Sequence, residues 1–150
     1  MRPTPPATRR PLLAVALVLV AGAAPLAVPQ AADDALARVE AGLESADPSA
    51  VLADAPSRVE VVLFGQGGTF RRAQAAHVLR DFFRRYPPAR VEFDERSASD
   101  DGQTAIGKYW SEDGGAWLSV RVLHRRAGDE WELASIRIDR RSTVRTSALL

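Results

Sequence analysis

The chain has 150 residues, a formal net charge of +1, no cysteine, two histidines and 46% hydrophobic residues. This length and hydrophobic content are typical of one soluble globular domain and exclude a disordered chain. The lack of cysteine excludes a disulfide scaffold, a thiolate metal site and a cysteine nucleophile, and two histidines argue against a multi-histidine metal centre.

The first 31 residues have the organisation of a secretory signal peptide. Three arginines within the first ten residues precede an apolar run at 12–20, and small residues follow at 21–23 and 31–32. Glycine and prolines interrupt this stretch before it reaches the ~20 apolar residues of a membrane span. Arg9 and Arg10 partly match a twin-arginine signal, but Pro11 lies inside the motif, so we expect ordinary secretion.

Cleavage, after Ala23 or near Ala31, would leave a domain in the periplasm or outside the cell, with no stable membrane insertion. Removing residues 1–31 takes away three arginines and no acidic residue, so the net charge changes from +1 to −2. A mildly acidic domain has no general attraction for nucleic acid or anionic membranes. We therefore expect neither as a partner.

The mature domain, residues 32–140, begins with two predicted helices. Asp33 or Asp34 can cap the first, in which apolar residues recur at helical spacing. Asp47 followed by Pro48 has the pattern of a cap and a first helical residue, and it predicts a short second helix.

A hairpin and the clearest helix of the sequence come next. Residues 59–64 are rich in branched side chains and predict a strand. The glycine-rich segment 65–68 predicts a hairpin turn into a short return strand, and it lacks the lysine of a phosphate-binding loop. Residues 72–86 carry one broad apolar stripe and predict a helix, which ends at a pair of prolines.

Four strands are predicted in the second half of the domain, at 90–96, 103–111, 116–126 and 130–139. Their short connections, rich in Asp and Gly, predict an antiparallel meander. Residues 141–150 have no periodicity and are expected to form a loose tail. Helices followed by an antiparallel sheet make this an α+β fold.

The alternation of apolar residues predicts how the last three strands pair. Pairing Arg126 with Glu130 places apolar residues opposite one another along both strands, whereas a slip of one residue would mix the two faces. Pairing Ser111 with Ala116 extends the same apolar face to the preceding strand. The opposite face then carries all three tryptophans.

Several segments together resemble a family of small secreted domains, the domain of unknown function 4783. The resemblance rests on five segments and covers roughly residues 33–140: 64–68, 70–75, 78–83, 105–107 and 131–138. Arg71 departs from it, because the family more often has a serine there that can cap the helix. The resemblance implies the cone-like fold of the nuclear-transport-factor-2-like superfamily, in which a curved sheet wraps a long helix. It implies no activity and no residue roles.

The cone-like fold predicts a cavity between the 72–86 helix and the sheet. Small residues at Ala105 and Gly107 leave room there for an apolar ligand. Six inward-facing residues are the candidates for its lining: Leu79, Phe83, Tyr86, Tyr109, Val120 and Ile136.

The tryptophan-bearing face of the sheet is the candidate interface. Its apolar area exceeds what a monomer normally exposes, and Trp and Arg are enriched at binding surfaces. We expect a homodimer or partner contact through six residues: Trp110, Trp117, Arg121, Leu123, Trp131 and Leu133. The alternative is a bulge that rotates part of the last strand, so that Trp131 and Leu133 pack under the first helix.

No residue is predicted to be catalytic, and no metal site or cofactor is expected. His124 opposite Glu132 could orient an imidazole as a base, but an ion pair at a sheet edge is the simpler interpretation. His77 and Asp81 share one wet helix face and lack a third metal ligand. Glu92 and Asp94 are interpreted as charges that protect a strand edge.

These observations together predict an exported, cofactor-free and non-enzymatic module that binds a small apolar ligand or a protein partner. The alternative is a small isomerase, dehydratase or hydrolase that uses the cone cavity. An ionisable side chain buried beside empty space in that cavity would favour the enzyme.

Overall fold

Three helices lie against one face of a six-stranded sheet in the computed structural model, which describes residues 28–141. In chain order the elements are α1 (Val28–Glu44), α2 (Pro48–Val51), β1 (Arg58–Leu63), β2 (Gln66–Arg71), α3 (Arg72–Arg85), β3 (Pro88–Ala98), β4 (Gly102–Ser111), β5 (Leu118–Ala127) and β6 (Glu130–Arg140). The α+β class and the predicted order of elements are confirmed. The predicted signal peptide, except for residues 28–31 in α1, and residues 142–150 of the predicted tail lie outside the described residues.

The sheet has the strand order β2-β1-β6-β5-β4-β3. The four-strand meander is present as predicted, and the β1–β2 hairpin joins the same sheet through a parallel pairing of β1 with β6. In this pairing Glu60 lies opposite Ser135 and Leu63 opposite Ile138. The hairpin therefore lies beside the C-terminal strand.

Helix α1 does not begin at the predicted caps. Val28 is already helical, so Asp33 and Asp34 lie inside the helix. Ala32 and Ala35 extend its buried stripe toward the N-terminus and pack against Trp131. Tertiary packing thus overrides the local capping preference of aspartate.

The other two helix starts follow the sequence more closely. The Asp47 carboxylate accepts hydrogen bonds from the backbone N–H groups of Ser49 and Ala50, at 2.9 and 3.3 Å, which confirms the predicted cap of α2. Arg71 precedes α3 without a side-chain cap, and Gln74 Oε1 accepts a hydrogen bond from the Arg71 N–H at 3.3 Å. The glutamine compensates in part for the missing serine.

The predicted β4–β5 register is confirmed, since Tyr109 pairs with Leu118 and Gly107 with Val120. The predicted β5–β6 register is wrong. Ala127 pairs with Glu130, and an extra residue in β6, Ala134, forms a bulge. Before the bulge, the side chains of β6 therefore point to the opposite face of the sheet from the one predicted.

The bulge corrects two predicted interface residues. Trp131 is 8% exposed and Leu133 is fully buried, because both face the helices rather than the outer side of the sheet. Trp131 packs under Ala32 and Ala35 of α1. The alternative interpretation of the sequence, in which a bulge rotates this part of the last strand toward the helices, is therefore the correct one.

One hydrophobic core fills the space between the helices and the sheet. Leu36 and Leu43 come from α1, Leu79 and Phe83 from α3, and the sheet contributes its alternate, inward-facing residues. Within residues 28–141, no helix is both long and apolar enough to cross a membrane.

Candidate ligand-binding groove

Five of the six predicted cavity residues are part of the packed core. All five belong to one buried cluster and line none of five surface clefts in the described part of the chain: Leu79, Phe83, Tyr109, Val120 and Ile136. Ala105 lies in the same cluster. A Cβ at Gly107 would lie 2.1 Å from the Glu92 carbonyl oxygen of the neighbouring strand, so this glycine allows close packing of β3 and β4. The structure therefore places these residues in the core and not along any of these clefts.

Tyr86, the sixth residue, lies at the end of α3 and lines a surface groove of about 490 Å³. This volume is within the range of small-molecule sites. The walls come from α3, the β1–β2 hairpin and the end of β6, and the lining residues are Leu63, Phe64, Gln66, Gly67, Val78, Asp81, Phe82, Arg85, Tyr86 and Arg140. We call this the end groove.

Two further clefts are neighbours of the end groove. One, of about 400 Å³, shares the lining residues Tyr86 and Arg140 with it and extends to Trp117 and Leu118. The other, of about 320 Å³, shares Phe64 and Arg140. This end of the sheet therefore carries three neighbouring clefts.

Closely packed aromatic rings form the floor of the end groove. The ring centroid of Tyr86 lies 5.3 Å from those of both Phe64 and Phe82. Phe82 lies 5.3 Å from Tyr109, which connects the floor to the core. These separations are those of favourable aromatic pairs, so the floor offers an apolar surface that is packed onto the core.

Tyr109 positions Tyr86 from below. Its hydroxyl donates a short hydrogen bond to the Tyr86 carbonyl oxygen, at the point where α3 ends. Burial raises the pKa of Tyr109, with the Glu112 carboxylate adding to the effect, so the hydroxyl keeps its proton as a donor. Tyr109, which the sequence predicts to line a cavity, is therefore buried in the core and holds Tyr86 in place at the groove.

Phe64 adopts an unusual backbone conformation at the edge of the end groove. Leu63 pairs with Gln66, so the hairpin turn consists of Phe64 and Gly65, with φ angles of 54° and 76°. The turn therefore begins one residue earlier than the predicted turn at 65–68 and is shorter, because residues 66–68 belong to β2. Both central residues of a type I′ turn need positive φ, which favours Asn and Gly and is rare for a bulky side chain. The strained backbone at Phe64 therefore places an aromatic ring at a turn position that normally carries a small polar residue.

Two arginines from different elements border the aromatic floor. The Arg140 guanidinium lies 4.8 Å from the Phe64 ring centroid, and Arg85 comes from the last turn of α3. Neither forms an ion pair with another residue of the described range. Asp81 is the only carboxylate that lines the groove, and Arg84 lies 3.6 Å from it.

His124 is buried at the other end of the sheet. It is six residues along β5 from Leu118, about 20 Å in an extended strand. Its side chain is fully buried, and neither ring nitrogen has a hydrogen-bond partner among the described residues. Burial lowers its pKa to about 4, with Asp54 opposing and Arg38 reinforcing the shift. The predicted pairing with Glu132 is wrong, since the bulge places Leu133 opposite His124.

Two other clefts lie at the His124 end. One, of about 410 Å³, is lined by Arg38, Asp54, Arg72 and three acidic residues of the β5–β6 region, and the Arg38 and Asp54 side chains form an ion pair at 2.7 Å. The other, of about 240 Å³, lies between Asp33, Gln103 and Trp131. His124 lines neither of them. The first cleft is lined mainly by charged side chains, which suits it less to an apolar ligand, and the second has about half the volume of the end groove.

The remaining polar candidates do not come together as a site. His77 Nδ1 lies 3.1 Å from the Arg80 guanidinium, whereas Asp81 faces Arg84. Glu92 pairs with Arg90, and Asp94 pairs with Lys108 at 2.8 Å. No cluster of three potential metal ligands occurs within the described range.

Four predicted interface residues remain on the outer face of the sheet. Trp110, Trp117 and Leu123 are half-buried and Arg121 is exposed. Cationic side chains partly cover both tryptophans: Arg90 lies 5.1 Å from the Trp110 ring, and Lys108 and Arg141 lie 5.7 and 5.3 Å from the Trp117 ring. The apolar patch is therefore smaller than the sequence predicts.

Comparison with known proteins agrees with this fold. The profile of a family described as "Domain of unknown function (DUF4783)" matches residues 36–139. The crystal structure of a DUF4783 family protein from Bacteroides ovatus has a TM-score of 0.64 at 16% identity and covers 70% of this chain and 94% of its own. A second, from Bacteroides fragilis, has a TM-score of 0.63 at 17% identity and covers 69% and 96%.

A crystal structure described as an NTF2-like protein of unknown function, from Shewanella baltica, has a TM-score of 0.57 at 13% identity and covers 72% of this chain and 89% of its own. A search of curated proteins finds no match. At these identities the structural likeness establishes the fold and not an activity. The resemblance expected from the sequence is confirmed.

Proposed function

The chain belongs to the DUF4783 family and has a nuclear-transport-factor-2-like fold, and we propose that it is an exported binding module that holds a small apolar ligand in the end groove. The observation that carries the proposal is the strained Phe64, whose ring packs with Phe82 and Tyr86 on the groove floor. Strained backbone of this kind persists where the surrounding structure enforces it, and it clusters at functional sites.

Binding of a neutral apolar dye, Nile red, tests this proposal. The dye is expected to bind saturably, with one molecule per chain and an increase in fluorescence. Val78→Trp places a large side chain in the groove, since Val78 lines it from α3, and it should weaken binding by about tenfold or more. Ala73→Trp adds the same side chain at an exposed position of α3 and should leave the affinity unchanged. Equal affinities for the two variants would contradict the proposal.

Export rests on the predicted signal peptide, residues 1–31. Expression of the full chain in a Gram-negative host is expected to yield periplasmic protein that lacks this leader. Mass spectrometry of the purified protein should then identify a new N-terminus near residue 24 or residue 32. Full-length protein retained in the cytoplasm would contradict this part of the proposal.

We also propose a homodimer through the outer face of the sheet. Trp110, Trp117 and Leu123 remain only half-buried there, beside the exposed Arg121. Sedimentation equilibrium should show a monomer–dimer equilibrium that Leu123→Glu shifts toward the monomer. A clean monomer at high protein concentration would remove the dimer without affecting the end groove.

The alternative function is an isomerase, dehydratase or hydrolase that uses the same groove. Such an enzyme needs a proton-transferring side chain beside the ligand. Asp81, the carboxylate that lines the groove, is 64% exposed and paired with Arg84. His124, the residue with the strongly lowered pKa, lies at the other end of β5. These positions favour binding over catalysis.

A further inference from the structure

We propose that the ligand of the end groove is a single-chain amphiphile with one negative charge, such as a fatty-acid-type carboxylate or an alkyl sulfate. This inference rests on the proposed function and deepens it. The floor made by Phe64, Phe82 and Tyr86 suits an apolar chain. Arg85 and Arg140 supply the positive charge that would receive its head group.

The charge balance of the groove supports an anionic head group. Arg85 and Arg140 line it, and neither forms an ion pair within residues 28–141. The opposing charge of Asp81 is partly neutralised by Arg84 at 3.6 Å. An arginine presents a planar fork of N–H donors that matches a carboxylate or sulfate, and bonds between charged partners are stronger than neutral ones.

Arg140 is already oriented by the aromatic floor. Its guanidinium lies 4.8 Å from the Phe64 ring, and this stacking limits the conformations that it loses when a ligand binds. The strained turn at Phe64 thus has two effects, since the same ring forms the floor and supports the cation. A chain that lies on Phe64 would have its head group beside Arg140.

The carboxylate of Asp139 lines a neighbouring cleft together with Arg140 but forms no ion pair with it. Asp139 Oδ1 accepts a hydrogen bond from the Gly65 N–H at 2.9 Å, which ties it to the hairpin turn. Arg84, the neighbour of Arg85 in α3, faces Asp81 instead. Of the cations near this end of the molecule, Arg85 and Arg140 are therefore the two that line the groove without a carboxylate partner in the described structure.

Isothermal titration with amphiphiles of one chain length, below their aggregation concentrations, tests the inference. Decanoate and decyl sulfate are expected to bind at least about tenfold more tightly than decanol, and decyltrimethylammonium more weakly than decanol. The decanoate affinity should fall as salt is added, whereas the decanol affinity should not. Comparison of decanoate with decyl sulfate identifies the preferred anionic head group.

Matched variants locate the charge effect. Arg85→Gln and Arg140→Gln should each reduce the decanoate affinity more than the decanol affinity, so that the preference for decanoate over decanol falls. Arg80→Gln on α3 and Arg137→Gln on β6 remove exposed arginines that do not line the groove, and they should change neither affinity. All four are surface substitutions that are expected to preserve the fold, which circular dichroism can verify.

The outcomes separate this inference from the proposed function. If decanol and decanoate bind equally and the arginine variants have no effect, the anionic preference is refuted while the apolar groove stands. If decyltrimethylammonium binds most tightly, the inference is also refuted. If neither the alkyl ligands nor Nile red bind, the proposed function itself fails.

Discussion

His124 has the least favourable surroundings of any polar side chain in the described core. It is fully buried, its two ring nitrogens have no partner among the described residues, and the neighbouring Gln103 leaves its own Oε1 unpaired. Burial lowers the pKa of His124 to about 4, so the folded protein holds this ring neutral. An unfolded chain has the ordinary histidine pKa of about 6.5.

A pH dependence of stability follows from this difference. Between about pH 6.5 and pH 4 the unfolded state binds a proton that the folded state does not, so the free energy of unfolding falls as the pH falls. The free energy of unfolding has its full value above pH 6.5, and about 3 kcal/mol of it is lost by pH 4. Urea unfolding of the wild type and of His124→Leu across this range measures it.

The leucine variant should have a flatter profile and a stability at pH 7 close to that of the wild type, because an apolar side chain leaves no buried nitrogen unpaired. His77→Leu changes the other histidine, which is exposed, and should keep the wild-type profile. An unchanged pH profile for His124→Leu would contradict the assignment of a neutral buried imidazole.

Phe64 combines an unfavourable backbone conformation with ring contacts that form the groove floor. Phe64→Asn should relieve the positive φ, which costs roughly 1–2 kcal/mol for an ordinary residue. It also removes two aromatic contacts worth about 0.5–1.5 kcal/mol each. Because relief of the strain offsets part of this loss, the free energy of unfolding should fall less than it does for the same substitution at an unstrained phenylalanine, whereas Nile red affinity should fall markedly.

Phe70→Asn is the matched control for this prediction. Phe70 is half-buried in β2 and packs against the core without positive φ. The substitution should reduce the free energy of unfolding by about 1–3 kcal/mol and leave dye affinity unchanged. A loss of stability for Phe64→Asn as large as that of Phe70→Asn would show that the turn holds no strain to be relieved.

At the level of elements, close contact between β3 and β4 depends on Gly107. The two strands shift register between Phe93 and Glu95, and a Cβ at Gly107 would lie 2.1 Å from the Glu92 carbonyl oxygen and 2.8 Å from the Phe93 Cα. Backbone atoms cannot move aside as a flexible side chain can. The glycine therefore permits this close approach of the two strands.

Gly107→Ala is expected to reduce the free energy of unfolding by about 1–3 kcal/mol because it forces the strands apart. Gly68→Ala, in β2, introduces a Cβ with no atom within 4 Å and should have little effect. Chemical denaturation of the two variants makes the comparison. Equal stabilities would mean that β3 and β4 do not approach as closely at Gly107 as the structure places them.

Most elements are predictable from the sequence because their signals are local. The aspartate cap of α2, the apolar stripe of α3 and the short turns of the meander each depend on neighbouring residues. The parallel pairing of β1 with β6 joins strands more than 60 residues apart, and no local signal encodes it. Long-range packing likewise decides where α1 begins.

The bulge at Ala134 explains why the candidate interface was only partly predictable. A shift of one residue moves each side chain to the other face of the sheet, so a single extra residue relocates Trp131 and Leu133 to the core.

The end groove depends on Phe64 and Arg140, which lie far apart in sequence. The unusual Phe-Gly pair between two β-rich segments was the one local signal for it, since a type I′ turn prefers Asn-Gly.

For the molecule as a whole, the two ends of the sheet have different chemistry. The end that holds Tyr86 and Arg140 has three neighbouring clefts, an aromatic floor and arginines without a carboxylate partner in the described range. The end that holds His124 and Trp131 has one cleft lined mainly by charged side chains and a second, smaller cleft. The proposed ligand site is therefore at the first end.

Amide chemical-shift mapping during titration with decanol tests this placement most directly. We expect the largest shifts at Gly65, Gln66, Gly67, Val78, Phe82 and Arg85, which border or line the end groove, and small shifts around Asp54 and Trp131. Perturbations that instead centre on Asp54, Trp131 and Glu132, or that spread evenly over the domain, would contradict the account.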